Sequence, residues 1–259
     1  MDLRRRALEA LLIAEPAAKV AAVGALDRRG DVDTDAVLDE PAGLPGRPMR
    51  PLLVAPAALA RRSPYTRAGR AALLHAVAHI EFNAINLALD VLWRFAAMPA
   101  AYYRDWLQVA AEEAHHFTLL TGHLATLGNA YGDFDAHSGL WDMVEKTKHD
   151  AVARMALVPR TLEARGLDAT PPMRAKLAQA GDARAVEILD VILRDEIGHV
   201  AVGNRWYHWL CECDGLDALA HYAVLAARHG APRLKPPFNL EARAQAGFTP
   251  QELEQLRNT

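Results

Sequence analysis

Two stretches of the chain place a glutamate three residues before a histidine in helix-like surroundings. One is Glu112-Glu113-Ala114-His115-His116, which holds the pattern in two overlapping frames. The other is Asp195-Glu196-Ile197-Gly198-His199. Side chains at i and i+3 share a helix face, so a carboxylate and an imidazole at this spacing can reach one metal ion. A lone match is weak, because a chain this rich in both residues produces one by chance. The neighbours decide. The frame Glu113/His116 lies on the stripe Trp106, Val109, Phe117, Leu120, Leu124, which is apolar. The frame Glu112/His115 lies on Asp105, Gln108, Leu119, Gly122, Thr126, which is much wetter. The first frame is therefore the inward one, and Glu112 and His115 fall nearer the surface or behind the ligands. Glu196 and His199 share a stripe with Leu189, Ile192, Val200 and Tyr207, again inward.

Two further segments offer a carboxylate on an apolar face. Glu81 is the only charge on the line Leu74, Ala78, Ile85, Ala88, Leu92. Glu163 follows Val152, Ala156 and Pro159, with Pro159 bending that helix. Glu145, flanked by Lys146 and Lys148, is the competitor to Glu163. Glu81 precedes Glu113 by 32 residues and Glu163 precedes Glu196 by 33. Each half of the pattern is thus a helix with Glu followed by a helix with Glu-x-x-His. Four inward carboxylates with two imidazoles suit a dinuclear iron or manganese site. Four buried glutamates would otherwise cost far too much without cations to neutralise them.

The elements that must position these residues follow from hydrophobic periodicity. Residues 70–98, 101–128, 139–166 and 182–213 each carry apolar residues at helical spacing over many turns. Breaks fall at Pro99, between Gly128 and Gly139, and over 167–181, which holds Pro171-Pro172. Strand-like alternation is nearly absent. The expected fold is all-α, an up-and-down four-helix bundle over 70–213. Residues 1–69 precede it as helices and an irregular, Pro- and Gly-rich segment over 28–67 that wraps the core or is mobile. Within that segment, one short helix is expected near Ala57–Arg62. Residues 214–259 follow as a helical tail packing on the bundle. It contains the basic stretch Arg233-Leu234-Lys235-Pro236-Pro237, and Thr249-Pro250-Gln251-Glu252 signals a last helix.

Composition removes whole classes of function. The 259 residues are 51% hydrophobic and 24% charged, which is ordinary for a globular protein. A net charge of −3 gives no basic footprint, so nucleic acid is not an expected partner. Two cysteines, Cys211 and Cys213, cannot build a disulfide framework, and the chain reads as reduced and cytoplasmic. No stretch reaches 18 uncharged apolar residues, so no membrane span is expected. Arg4-Arg5-Arg6 and Arg61-Arg62 read as solvated charge. His75 and His79 flank Glu81; His79, two residues away, points elsewhere and reads first as a hydrogen-bonded structural histidine, with a place behind the metal ligands as the alternative.

The chain resembles the ferritin-like superfamily and, more narrowly, a bacterial ferritin-like family of unassigned function. The residues that carry this are His75-Ala-Val-Ala-His79-Ile-Glu81, Glu113-Ala-His-His116-Phe117, Tyr131-Gly132-Asp133, Glu163-Ala-Arg-Gly-Leu-Asp168, Asp195-Glu196-Ile-Gly-His199-Val200 and Phe238-Asn239. The resemblance implies that Glu113 and Glu196 bridge two metal ions. Glu81 with His116, and Glu163 with His199, would supply the terminal ligands. It also implies that Asp195 accepts a hydrogen bond from a ligand histidine, fixing its tautomer, with Glu112 in the matching place of the first motif.

Three functions fit. The first is an oxygen-activating oxidase or hydroxylase. It would use two iron ions, with manganese or mixed occupancy open, and act on dioxygen and a small apolar organic substrate held beside Ile85, Leu92, Phe117 and Leu120. The second is a ferroxidase or iron-handling protein; the roughly 70 residues before the first core helix argue against a storage cage. The third is a bundle that metal merely stabilises. A homodimer is compatible with each.

Overall fold

The computed structural model describes residues 2–60 and 62–258; Arg61, of the basic pair named above, lies outside the described residues. Eleven α-helices follow one another among the described residues: α1 (Leu3–Leu12), α2 (Pro16–Gly24), α3 (Arg67–Arg94), α4 (Ala100–Thr126), α5 (Gly139–Lys146), α6 (Ala151–Leu157), α7 (Ala164–Gln179), α8 (Ala183–Cys213), α9 (Ala218–His229), α10 (Leu240–Gln245) and α11 (Pro250–Arg257). One short 3₁₀ turn, Pro56–Ala58, stands where a short helix is expected, and Val158–Glu163 forms a π-helical turn between α6 and α7. The fold is all-α. Its sole β-like feature among the described residues is an isolated bridge between Leu53 and Ala136. The chain divides into two compact units, Met1–Ser138 with Leu177–Ile188, and Gly139–Lys176 with Leu189–Thr259.

In the first unit α3 and α4 lie side by side along most of their length, with α1 against α3 and α2 against α4. Thr66 starts α3 by accepting a hydrogen bond from the Gly69 N–H. α3 is long and apolar enough to cross a membrane by composition alone, but 78% of its most apolar window is buried inside the protein. Leu74, Ala78, Ile85 and Leu89 from α3, and Leu107, Ala110, Leu120 and Leu124 from α4, are wholly buried or nearly so.

The irregular segment after α2 wraps this unit and is tied down by buried cations. Arg4, one of the arginines that read as solvated charge, is fully buried. It donates to the carbonyls of Asp33, Ala36 and Trp93 at 2.9, 2.6 and 2.8 Å. A segment without secondary structure needs partners for its backbone carbonyls, and a guanidinium with five N–H groups supplies several at once. Lys19 plays a similar part, donating to the carbonyls of Leu11 and Gly46 at 3.1 and 2.9 Å and to Asn86.

The second unit departs from the sequence expectation in two places. The helix expected over 139–166 is broken at 147–150 and restarts at Asp150, whose side chain caps α6. It then widens into the π turn at Pro159. Proline lacks the N–H that would bond back one turn, and Thr161 Oγ1 reaches five residues back to the Ala156 carbonyl at 2.7 Å. The helix also does not end at Pro171-Pro172: α7 runs through both. The Leu167 carbonyl, which Pro171 cannot reach with a hydrogen bond, accepts instead from Asn239 Nδ2 at 3.3 Å. The tail thus supplies what the prolines remove. Ala164, Leu167, Val200, Ala242, Ala246 and Phe248 form the apolar core there.

Candidate metal centre

Glu81 sits midway along α3, and Glu113 and His116 sit on the facing stripe of α4. All three are buried, Glu113 and His116 completely and Glu81 to 3% exposure. His116 Nδ1 lies 3.1 Å from Glu81 Oε2 and 3.3 Å from Glu113 Oε2. One donor atom from each residue falls within 4.8 Å of the others. Glu112 is only partly buried and accepts from Gln108, while His115 is exposed. The inward frame is therefore Glu113/His116, and the reason is the apolar stripe that this face carries.

The electrostatics of this cluster favour positive charge among its carboxylates. Burial, and then the Glu113 charge, push the Glu81 carboxyl up to about 8. Burial works against a charged His116, but hydrogen bonds and charge from Glu113 and Glu81 outweigh it and hold the imidazole up at about 11. Positive charge on the ring offsets carboxylate charge held out of water. Two carboxylate oxygens and one imidazole nitrogen suit iron, manganese or zinc, so the residues fit a divalent metal, with Glu81, Glu113 and His116 as its ligands.

In the second unit Glu163 closes the π turn and is 7% exposed; Glu196 and His199 of α8 are 7% and 1% exposed. His199 Nδ1 and Glu196 Oε1 are 4.0 Å apart. The same face of α8 carries Gly203, where an added Cβ would come within 2.5 Å of Pro159 Cβ. That absence of a side chain lets α8 approach the π turn closely. Glu145, the rival to Glu163, is half-buried and engaged: Trp141 Nε1 donates to it at 3.0 Å and Lys148 pairs with it at 3.4 Å. Asp195 pairs with Arg194 through Nε at 2.8 Å and Nη2 at 3.1 Å. Cys211 is buried and Cys213 exposed, neither in a disulfide.

His79 turns its ring toward the loop after α4. Its Nδ1 lies 2.8 Å from the Tyr131 hydroxyl and its Nε2 3.2 Å from the His137 carbonyl. Asn83 Nδ2 lies 3.0 Å from the same Nε2, so both ring nitrogens are engaged. Burial pushes both His75 and His79 down to about 4, so both rings are neutral at ordinary pH. His75 Nε2 accepts the Gly132 N–H at 2.9 Å. Gly132 has φ +105°, and a Cβ there would press to 3.1 Å of Arg50 Cβ. In this conformation the glycine presents its N–H to His75.

Tyr131 is the residue that sequence reasoning leaves without a task. It stacks on His75, meets Phe117 edge-on at 5.0 Å and lies 5.5 Å from Phe82. Phe82 and Phe117 directly follow the candidate ligands Glu81 and His116 and pack on each other at 5.4 Å. The signal available was the phrase Tyr131-Gly132-Asp133. Its partners lie more than 10 residues away in sequence, beyond any local pattern.

With the geometry in view, comparison places the chain among its relatives. The family described as "Protein of unknown function (DUF455)" matches residues 12–254. An uncharacterized protein of Haemophilus influenzae is 55% identical over 214 residues, which cover 80% of this chain and 74% of that relative. No solved structure matches the chain. A family match over nearly the whole length, with more than half of the aligned residues shared with this relative, shows that the chain belongs to the DUF455 family.

Proposed function

We propose that this chain is a ferritin-like four-helix protein that binds two iron or manganese ions. Its ligands are Glu81, Glu113, His116, Glu163, Glu196 and His199, and it works as an oxygen-activating oxidase or hydroxylase on a small apolar organic substrate. The observation that carries the reading is the buried cluster of Glu81, Glu113 and His116, with one donor atom of each within 4.8 Å of the others. Burying two carboxylates is costly unless positive charge compensates them, and a metal ion would supply that charge in place of the His116 proton. Support also comes from the second Glu-x-x-His, whose two members are both buried.

When bound, the metals would supply the electrons for reducing dioxygen. The chain's own residues do the rest. The carboxylates neutralise and position the metal ions. Phe82 and Phe117, each next to a ligand, keep water from one side of the cluster and offer an apolar surface to an organic substrate.

The test is metal content per chain by mass spectrometry, on protein purified without chelators, beside a Glu113→Ala/Glu196→Ala variant. About two iron or manganese per wild-type chain, lost in the variant, is the expected result. Less than half an equivalent, unchanged in the variant and not restored by anaerobic ferrous iron, overturns the reading. Loading with ferrous iron under anaerobic conditions and then admitting air separates oxygen chemistry from a purely stabilising metal. An optical change on exposure to air is expected of an oxidase.

A further inference from the structure

The second unit holds a surface cleft of about 600 Å³ between the first half of α7 and the segment that leaves α9. That volume is in the range of small-molecule sites. Three cations line it: Arg165 from α7, and Arg233 and Lys235 from the basic stretch of the tail. All three are exposed, and none has an ion-pair or hydrogen-bond partner among the described residues. Pro172, Pro237 and Phe238 form the apolar part of the lining.

Asp168 is the acid in this cleft, and it does not neutralise the three cations. Its Oδ1 accepts from the Asn239 N–H at 2.8 Å and from Arg243 Nε at 3.0 Å. Its Oδ2 accepts from Arg243 Nη2 at 2.6 Å. Arg243 is completely buried and lies over the Phe238 ring at 5.5 Å. The floor of the cleft is therefore a closed ion pair, and the rim carries three uncompensated positive charges.

The walls are held in place. Gly230 ends α9 in the left-handed conformation, with the Ala231 N–H bonded back to the Ala226 carbonyl at 2.9 Å. Asn239 anchors the other end on Asp168 and Leu167. Between the anchors stand Pro232, Pro236 and Pro237, whose fixed φ leaves little entropy to lose on binding.

We propose that this cleft binds a small organic phosphate, its dianionic phosphoryl group held by Arg165, Arg233 and Lys235 and its apolar or aromatic body laid against Phe238 and the prolines. Three cations lining one cleft match a doubly charged group better than a single carboxylate. The apolar lining calls for a body beyond the phosphate itself. A nucleic-acid strand would need a positive surface extending past one cleft, and the chain as a whole is acidic. None of the residues that line the cleft is a proposed metal ligand.

The probe is 1-naphthyl phosphate, titrated by calorimetry into the full chain at low salt. We expect saturable binding of one molecule per chain, weakened at least tenfold by Arg233→Glu/Lys235→Glu and by Arg165→Glu. Inorganic phosphate and 1-naphthol should each bind at least tenfold more weakly than the ester. Melting curves confirm that the variants fold, and the milder Arg165→Gln/Arg233→Gln pair replaces any that do not. Absence of saturable binding up to 10 mM overturns the proposal, as does equal affinity in wild type and charge-reversed variants. Displacement of the probe by a single-stranded RNA that binds more tightly through the same residues also overturns it, in favour of a nucleic-acid face.

Discussion

Arg243 Nη2 donates to Asp168 Oδ2 at 2.6 Å, and this pair joins the tail to α7 across 75 residues of sequence. The guanidinium has no exposed surface and also reaches the Ala164 carbonyl at 3.2 Å. Removing one partner strands the other's charge out of water. Asp168→Ala is expected to destabilise the protein by about 3 kcal/mol. Urea unfolding checks it; a loss below about 1 kcal/mol would show that the pair does not hold the tail.

Gly203 and Gly122 make a contrasting pair of tests. A methyl group at Gly203 meets Pro159 Cβ at 2.5 Å, whereas one at Gly122 meets nothing within 4 Å. Gly203→Ala is expected to cost about 1–3 kcal/mol through forced separation of α8 from the π turn. Gly122→Ala is expected to stabilise by up to about 1 kcal/mol, because alanine favours a helix interior. Thermal melts of both variants decide, and shifts of the same sign in both would contradict the close approach.

Lys19 makes stability depend on pH in a defined direction. Burial, and then the charge of Arg47, push its ammonium from the ordinary 10.5 down to about 7. Between pH 7 and 10.5 the unfolded chain holds a proton that the folded chain has released. The Lys19 contribution to stability therefore rises with pH through that window, by up to about 1.4 kcal/mol per unit. Below pH 7 both states are protonated and the contribution is flat. The difference in unfolding free energy between wild type and Lys19→Met, measured from pH 6 to 9.5, should be level and then climb. A level difference throughout would place the ammonium near its ordinary value.

Metal should act as a folding ligand. Ferrous iron added anaerobically, or manganese, at a hundredfold over its dissociation constant should stabilise the wild type by about 2.7 kcal/mol. Glu113→Gln should lose that gain and, without metal, should be less stable than the metal-free wild type, since Glu113 helps to hold the buried His116 charge. Thermal melts with and without metal check both halves. An equal gain in Glu113→Gln would take the stabilising metal away from this cluster.

Much of the buried Glu/His cluster was legible because its inward facing depends on local periodicity. The choice of Glu113/His116 over Glu112/His115 follows from which stripe is apolar, and burial separates the two frames in the same way. Glu81 is likewise the sole charge on its stripe. The boundaries of α3, α4 and α8 fall within a few residues of the apolar runs that predict them.

What local pattern cannot contain is the partner that rescues a broken rule. Pro159 reads as a bend in its helix and Pro171-Pro172 as part of a break between helices, because each removes a backbone donor. Thr161 bridges the first as a π turn, and Asn239, 68 residues further on, answers the carbonyl left by the second. Arg4 reads as solvated charge until an irregular segment wraps it and presents its carbonyls; the same segment offers the Gly46 carbonyl to Lys19. Tyr131 gains its place only when the loop after α4 folds back onto His75 and His79. The sequence by itself determined which residues face inward, since side-chain periodicity is a property of each helix alone. Tertiary structure decided where helices bend, continue or stop and which charges are buried, since those depend on hydrogen-bond partners that only folding brings near.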